Sequence, residues 1–510
     1  MGFLTFFSDK KKQIDTSSQA HLALQEYADT HQLLLYRSIP IFHRHERQKI
    51  AVLLFDTHRG IYLFDSVGWK MQEIKDATAT PAAPNKKDKA DVKVDAIHKF
   101  IHNKFNEVLH VEGCELVNIL ILEHLTQEDF EQLDESFHTL MPKKRLIFAD
   151  DTPEEISQKL QEILPKLDQP LSASVLLGAL FFHLNIMPDN LHNQNALLTQ
   201  EQSQFIQSEL ANFSTLSGNY GTGKSSLILL KSIYELLNHP EYKILIIMPT
   251  LAVCDMLKKQ LLDIIEYAII DIDLLSIQIL TPQQMISQHY QKLYKNESFS
   301  FAKITPKMFS HQYHNIDIVF CDDSYLIDEE FIRYLTQQQA KKKLCLVTHE
   351  PNANSYNLTH SFRSPQSFIK LCEGAPLEQN TKVLSYVGNP FMYIMLILRE
   401  YFKDIDYTQL LIAVPHSQFA LKLLDEINSF YGTIAHIYHA DEGLLNQDLE
   451  KILIATHHEL SHLQRENVIV IRDKHSDEKQ ICHAIGRASK RLFIISSDLK
   501  DETYEQDNKN

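Results

Sequence analysis

"LSGNYGTGKSSLILL", Leu216–Leu230, is the stretch on which the reading of this chain turns. Gly218, Gly221 and Gly223 fall within six residues of a chain that has 13 glycines in 510. Glycine there lets the main chain wrap tightly with its N–H groups turned inward, and the apolar spacing after Lys224 predicts an amphipathic helix. A loop that opens a helix gathers N–H donors and the positive end of the helix dipole at one point, which is a cradle for phosphate. The pattern G-x-x-x-x-G-K-[ST] assigns Lys224 to the β- and γ-phosphates and Ser225 to Mg2+, with Thr222 and Ser226 beside them. The expected ligands are ATP and Mg2+.

A phosphate loop that drives hydrolysis needs an acidic site at the end of a neighbouring strand. "IDIVFCDDSYLID", Ile316–Asp328, supplies an apolar run ending in two aspartates. Asp322 is expected to hold the metal and Asp323 to orient the attacking water. Around these two stretches, "LIIMP", "IQILT" and "LCLVT" are continuous apolar runs rather than alternating ones, the signature of parallel strands buried on both faces. A second set, "LLIAVP", "KILIAT", "VIVIRD" and "RLFIIS", follows residue 405. Two successive parallel α/β domains are predicted, over 197–375 and 376–510.

Ahead of them lies a small α/β domain over 1–165. It has strands at Ile50–Phe55 and Gly60–Phe64 around the turn "DTHR", then a helix over Val94–Val108 and the strand "LVNILIL". A second helix over Gln127–Leu140 and the strand "RLIFA" complete it. A polar, Pro/Ala/Lys-rich loop, Asp76–Lys93, interrupts it. A mostly helical connector spans 166–196. "VLLGALFFHL" and "FMYIMLIL" are too short to cross a bilayer and are expected as buried helix. "MGFLTFFSDKKK" has its basic residues after the apolar run, the wrong order for a secretion signal. Six scattered cysteines without a C-x-x-C pair suit reduced thiols, so a soluble cytoplasmic protein without a membrane partner is expected. The net charge of −16 gives no global attraction to nucleic acid, so any such contact has to be local.

One further string competes for attention. "ATHHELSHLQRENVIVI", Ala455–Ile471, contains H-E-x-x-H at His458, Glu459 and His462, which on a helix would hold zinc. The strand-like "VIVIRD" begins six residues after His462, which leaves no room for that helix. With 26 histidines in the chain such a string arises readily by chance. "HRH" at 43–45 and "HIYH" at 436–439 are expected as surface or core histidines, and "AKKKL" at 340–344 as a solvated lysine run.

Taken in order, the motifs resemble the superfamily 1 helicases of the UvrD/Rep type over roughly residues 197–500. "LTQEQSQFI" is similar to the Q motif, which implies Gln202 at the adenine edge. "ILIIMPTLAVCDML" is similar to motif Ia, placing Pro249 and Thr250 on a single-strand track. "LTHSFRSPQSFI" is similar to motif IV, with Phe362 beside adenine and Arg363 as a first arginine finger. "CHAIGRASKRLFI" resembles motif VI, with Arg487 as a second finger. "ILIATHHELSHLQRENVIVI" takes the place of motif V, with Thr456 and His457 or His458 at its start. The resemblance implies two RecA-like lobes with ATP between them and single-stranded DNA across both. The departures are Asp323 where the family has Glu, Ala353 where it has a γ-phosphate-sensing Gln, and Ser461-His462-Leu463-Gln464 in motif V. The compact spacing leaves little room for insertion subdomains, so strong unwinding is not expected.

"KIAVLLFDTHRGIYLFDSVGWK", Lys49–Lys70, resembles the nuclease-related NERD domain in its "RGIY" framework and closing Gly68-Trp69. The family's metal-site Asp, Glu and Lys fall on Ala51, Asp65 and Val67. The resemblance therefore implies a domain without nuclease activity, kept for binding or for docking a protein partner, with Trp69 in its core. Two readings stay open for the whole chain: an ATP-hydrolysing helicase-like protein on nucleic acid, or a non-catalytic ATP-gated scaffold or regulatory subunit of a DNA repair or defence complex.

Overall fold

The computed structural model describes residues 18–43, 46–72, 100, 103–104, 115–135, 138, 141–171, 181–186, 196–285, 315–337, 343–349, 355–359, 361, 365–372, 383–401, 406–443, 447–460 and 463–496. The protein is mixed α/β and divides into two compact units, residues 1–187 with 264–272 and residues 188–263 with 273–510. No described helix is long and apolar enough to cross a membrane.

The first unit contains α1 (Gln19–Thr30), β1 (Leu34–His43), β2 (Glu46–Asp56), β3 (Gly60–Val67), β4 (Glu115–Leu122), α2 (Gln127–Glu131), β5 (Leu146–Ile147) and α3 (Pro153–Ile163). The sheet order is β1-β2-β3-β4-β5, antiparallel through β3 and parallel from β3 to β5. Val52 stands opposite Phe64 and Leu54 opposite Tyr62, so the two-residue repeat puts all four on one face. They pack there with Leu24 and Tyr27 of α1 and with Ile156 and Leu160 of α3. Trp69 is a core residue, packed with Leu122, Leu125, Phe130, Leu146 and Phe148. The helix expected over Gln127–Leu140 is corrected. It is interrupted after Glu131, where Gln132 N–H and Leu133 N–H turn back onto Asp129 O and Phe130 O and tighten the turn, and Glu135 and His138 beyond the break are helical again. Of the helix expected over Val94–Val108, only Phe100, Asn103 and Lys104 are described.

The second unit opens with α4 (Gln200–Gln207), β6 (Phe213–Gly218), α5 (Lys224–Asn238), β7 (Ile244–Ile247), α6 (Leu251–Ala268, of which residues 264–268 group with the first unit) and β8 (Ile277–Leu280). It continues with β9 (Ile318–Cys321), α7 (Glu329–Gln337), β10 (Lys343–Thr348), β11 (Ser355–Leu358) and α8 (Gln366–Cys372). Then come β12 (Val383–Val387), α9 (Pro390–Tyr401), β13 (Leu410–Val414), α10 (Ser417–Tyr431), β14 (Ala435–Ile437), β15 (Ile452–Thr456), β16 (Arg465–Arg472), α11 (Glu478–Ile485) and β17 (Ala488–Ser496). "FMYIMLIL" lies within α9, a helix as its length requires.

Two six-stranded sheets result, β8-β7-β9-β10-β6-β11 and β12-β17-β16-β13-β15-β14, with every pairing parallel. Their apolar strands are continuous because each face has its own core. In the second sheet Leu411, Ala413, Leu453, Ala455, Val468 and Val470 enter one cluster. The residues between them, Ile412, Ile454 and Ile469, enter the other. Ala252, from α6 beside the first sheet, joins the first of these clusters, and its N–H donates to Ala440 O at 3.2 Å.

Candidate nucleotide site

Strand order sets the site. β6 carries the glycine loop and β9 ends at the aspartate pair, with β10 lying between them. The residues that leave β10 therefore emerge between the loop and the acids.

Gly221 and Gly223 have φ of +77° and +81°, the left-handed region that costs other residues a Cβ clash. With Gly223 in that conformation α5 begins at Lys224, aimed along the loop. Lys224 Nζ donates to Gly218 O at 2.6 Å and Asn219 O at 3.0 Å. Ser225 Oγ donates to Asp322 Oδ2 at 2.5 Å. Asp322 is wholly buried, its N–H on Ile247 O, and its Oδ1 accepts from Asp323 N–H at 3.0 Å. Asp323 itself is left-handed at φ +40°, a conformation aspartate tolerates better than most residues. Lys224, Ser225, Asp322 and Asp323, expected to act together, lie together. Ser226 is half-buried on the first turn of α5.

Gln202 is used in a way the motif did not reveal. It is buried, and its Oε1 accepts from Thr199 N–H at 2.8 Å while Thr199 Oγ1 accepts from Gln202 N–H. That is a capping box at the start of α4. Its Nε2 donates to Thr222 O at 2.9 Å. Both ends of the amide are spent on holding α4 against the phosphate loop, whose Thr222 hydroxyl in turn donates to Asn219 O.

Four residues that the sequence left unassigned complete the site. Tyr220, at an unspecified position of the loop pattern, packs against His349 with ring centroids 4.0 Å apart and the rings tilted by 43°. His349 leaves β10 between loop and acids. Its Nδ1 is 3.2 Å from Gly218 O and 3.5 Å from Lys224 Nζ, its Nε2 is 3.9 Å from Asp323 Oδ1, and Tyr325 meets its ring edge-on. Burial, then the Lys224 ammonium, push its pKa down to about 3, so the imidazole is neutral near pH 7. Burial likewise raises the pKa of Tyr220. His483 of α11 lies 5.5 Å from the Tyr220 ring.

The second sheet reaches the same loop. Arg487, in the turn after α11, is 4% exposed, and its guanidinium lies 5.9 Å from the Tyr220 ring centroid. Its Nη2 contacts His483 Nε2. A Cβ on Gly486 would come within 2.5 Å of Tyr220 Cβ, so the glycine is what lets this turn approach the loop. Ser361 Oγ donates to Tyr220 O at 3.0 Å, but the neighbouring Phe362 and Arg363 lie outside the described residues, as do Ala353 and, in "AKKKL", Lys341 and Lys342; Lys343 opens β10 and lies 3.4 Å from Glu209.

The residues expected on a nucleic-acid track divide. Pro249 and Thr250 are half-buried in the bend after β7. Thr456 Oγ1 donates to Glu459 Oε2 at 2.7 Å. His457 is corrected as a contact residue. It is 1% exposed, its N–H donates to Val414 O, and burial lowers its pKa to about 4. The exposed member of the pair is His458, beside Gln480 Nε2 at 3.2 Å. Residues 457–459 form a turn and bend, not a helix, and His462 lies outside the described residues. In the first unit, Ser66 Oγ donates to Glu123 Oε1 at 2.5 Å and lies 3.0 Å from His21 Nε2. Val67 packs in the core beside Trp69.

No family model matches the chain, and no curated protein matches it. Solved structures with a similar arrangement include the DUF1998 helicase MrfA bound to DNA, at 12% identity and a TM-score of 0.42, covering 62% of this chain and 50% of that one. Another is Mss116p bound to ssRNA and AMP-PNP, at 15% identity and a TM-score of 0.40, covering 59% of this chain and 70% of that one. This chain thus spans half the length of the first. Both likenesses are distant.

Proposed function

We propose that this chain binds Mg-ATP at the Gly218–Ser225 loop and hydrolyses it as a superfamily 1 helicase-like ATPase on nucleic acid, single-stranded DNA, with weak or no unwinding. One observation carries the reading. Lys224, the Ser225–Asp322 pair and Asp323 from the first sheet, and Arg487 from beside the second, converge on one loop.

Ser225 and Asp322 present hard oxygen donors at hydrogen-bond distance from one another, the donor set that suits Mg2+, and they would hold it. When bound, the ion would neutralise phosphate charge. Lys224 exchanges its loop carbonyls for phosphate oxygens, and the loop N–H groups supply further donors. If Nδ1–H faces Gly218 O, His349 Nε2 and the Asp323 carboxylate are both acceptors flanking one space. A water donating to both is oriented with its lone pair free for in-line attack. Arg487 stabilises the charge that develops on the γ-phosphate. We propose further that the N-terminal unit docks a partner and does not cleave, because Ala51 and Val67 offer no metal ligand or lysine and Ser66 engages Glu123.

A second reading, an ATP-gated scaffold that barely turns over, draws on the self-contained loop. Lys224 is satisfied by loop carbonyls and Tyr220 lies over His349. ATP turnover with and without single-stranded DNA, beside Lys224→Ala, decides between them. DNA-stimulated turnover lost in the variant supports the motor, whereas nucleotide binding without turnover supports the scaffold.

A further inference from the structure

We infer that Cys372 and Cys482 form a dithiol site that a hydroperoxide converts to a disulfide, fastening α8 to α11 next to Arg487. Cys372 closes α8 and Cys482 sits in α11. Cys372 Sγ lies 3.7 Å from Cys482 O, and Cys482 Sγ lies 3.9 Å from Cys372 O, so the two side chains run alongside each other. The helices share a core through Phe368, Ile481, Ala484 and Ile485, which holds the pair in register. Neither sulfur is in a disulfide, and both residues are half-buried.

The remaining described cysteines differ. Cys254, Cys321 and Cys345 are buried, and burial raises the pKa of each thiol, to about 12 for Cys254 and Cys345. Cys482 is shifted the other way. The Cys372 thiol donates toward its sulfur and Arg472 adds positive charge, while burial opposes. The thiolate is the nucleophile, so oxidation selects Cys482.

The Cys482 thiolate attacks one peroxide oxygen and breaks the O–O bond, giving a sulfenic acid and hydroxide, which takes up a proton to become water. The Cys372 sulfur then attacks the Cys482 sulfur, loses its own proton and displaces the hydroxyl as a second water. In sum, two thiols are oxidised by two electrons and one peroxide is reduced to two waters. The next residue after Cys482 is His483, whose Nε2 contacts Arg487. A covalent tie at Cys482 therefore restrains the segment that carries the guanidinium.

Full-length protein is treated with hydrogen peroxide, alkylated, and mapped by mass spectrometry without reduction. One Cys372–Cys482 cross-link per chain is expected, reversed by dithiothreitol. Hydrogen exchange across residues 478–488 should slow in oxidised wild type and not in oxidised Cys372→Ser or Cys482→Ser. Sulfinic acid on Cys482 with Cys372 still alkylated, pairing of either sulfur with Cys114, or no oxidation overturns the site. A cross-link that leaves exchange unchanged overturns the restraint on Arg487. None of these outcomes depends on whether the protein hydrolyses ATP.

Discussion

The loop Gly218–Ser225 and the segment Thr456–His462 each match a short motif, and each leaves a buried strand of a parallel sheet. They part at the next residue. After the first, α5 runs for 15 residues from Lys224, and the acids, His349 and Arg487 gather around its start. After the second, the chain turns at once. Glu459, the would-be base, folds back onto the Thr456 hydroxyl, and His457 turns inward. A motif carries chemistry only when the backbone it presupposes is present, and the continuation of the chain decides that.

The sharpest way to break this contrast is Lys224→Ala. Removing the loop's one ammonium forfeits a charge-assisted contact to phosphate, on the order of 2–4 kcal/mol or two to three decades. Isothermal titration with Mg-ATP should show binding nearly abolished, and equal affinity in the two proteins would remove the phosphate-loop assignment. Arg487→Ala should act on turnover alone. We expect a drop of roughly a hundredfold in kcat, with ATP affinity within about threefold, because the guanidinium is asked to meet developing charge. If ATP affinity falls as far as turnover, Arg487 is a ground-state binder and the catalytic role is wrong.

A smaller effect tests the contact between the two parts of the site. Gly486 has ordinary helical backbone angles, so alanine there brings no backbone strain. Its new Cβ, however, would lie within 2.5 Å of the Tyr220 Cβ, too close to the loop main chain to be relieved by a rotamer change. Overpacking of this kind costs about 1–3 kcal/mol. Gly486→Ala should lower the melting temperature in the wild type, and by much less in a Tyr220→Gly background, where the opposing Cβ is gone. Independent, additive losses in the double variant would mean that the turn and the loop do not press on one another.

Much of this arrangement is legible in the letters. The continuous apolar strands, the glycine loop and the aspartate pair each follow from local spacing, because burial on both faces and a phosphate cradle each demand particular residue types in sequence. Other features follow from close approach between distant residues, which spacing does not encode. Tyr220 falls on a position the loop pattern leaves open. His349 matters because β10 happens to lie between β6 and β9. Gly486 is small because of Tyr220, some 270 residues earlier in the chain. Gln202 is a different lesson. Thr199-x-x-Gln202 spells a capping box, as do Thr126-x-x-Asp129 and Thr152-x-x-Glu155, so its engagement with the helix start was readable from four letters. The break at Gln132 within the helix expected over Gln127–Leu140 is not legible, because periodicity carries no signal where the chain tightens for one turn before helix resumes at Glu135.

The smallest expected effect concerns the H-E-x-x-H string, and there the two possible roles of Glu459 make opposite demands. As a zinc-site base, Glu459 would be dispensable for stability, and His462→Ala would release one metal ion per chain. As a local cap, its carboxylate accepts from the Thr456 hydroxyl at 2.7 Å and lies 3.5 Å from His439 Nδ1, closing the turn that ends β15. Removing an acceptor of this kind costs about 1 kcal/mol, more if the hydroxyl is left without another partner. Glu459→Ala should therefore lower the melting temperature by a few degrees, while metal analysis of wild type and His462→Ala shows no stoichiometric zinc in either. If zinc is found at one per chain and lost with His462, the turn has a ligand that its geometry does not explain. The contrast between the two motifs would then fail at its weaker member.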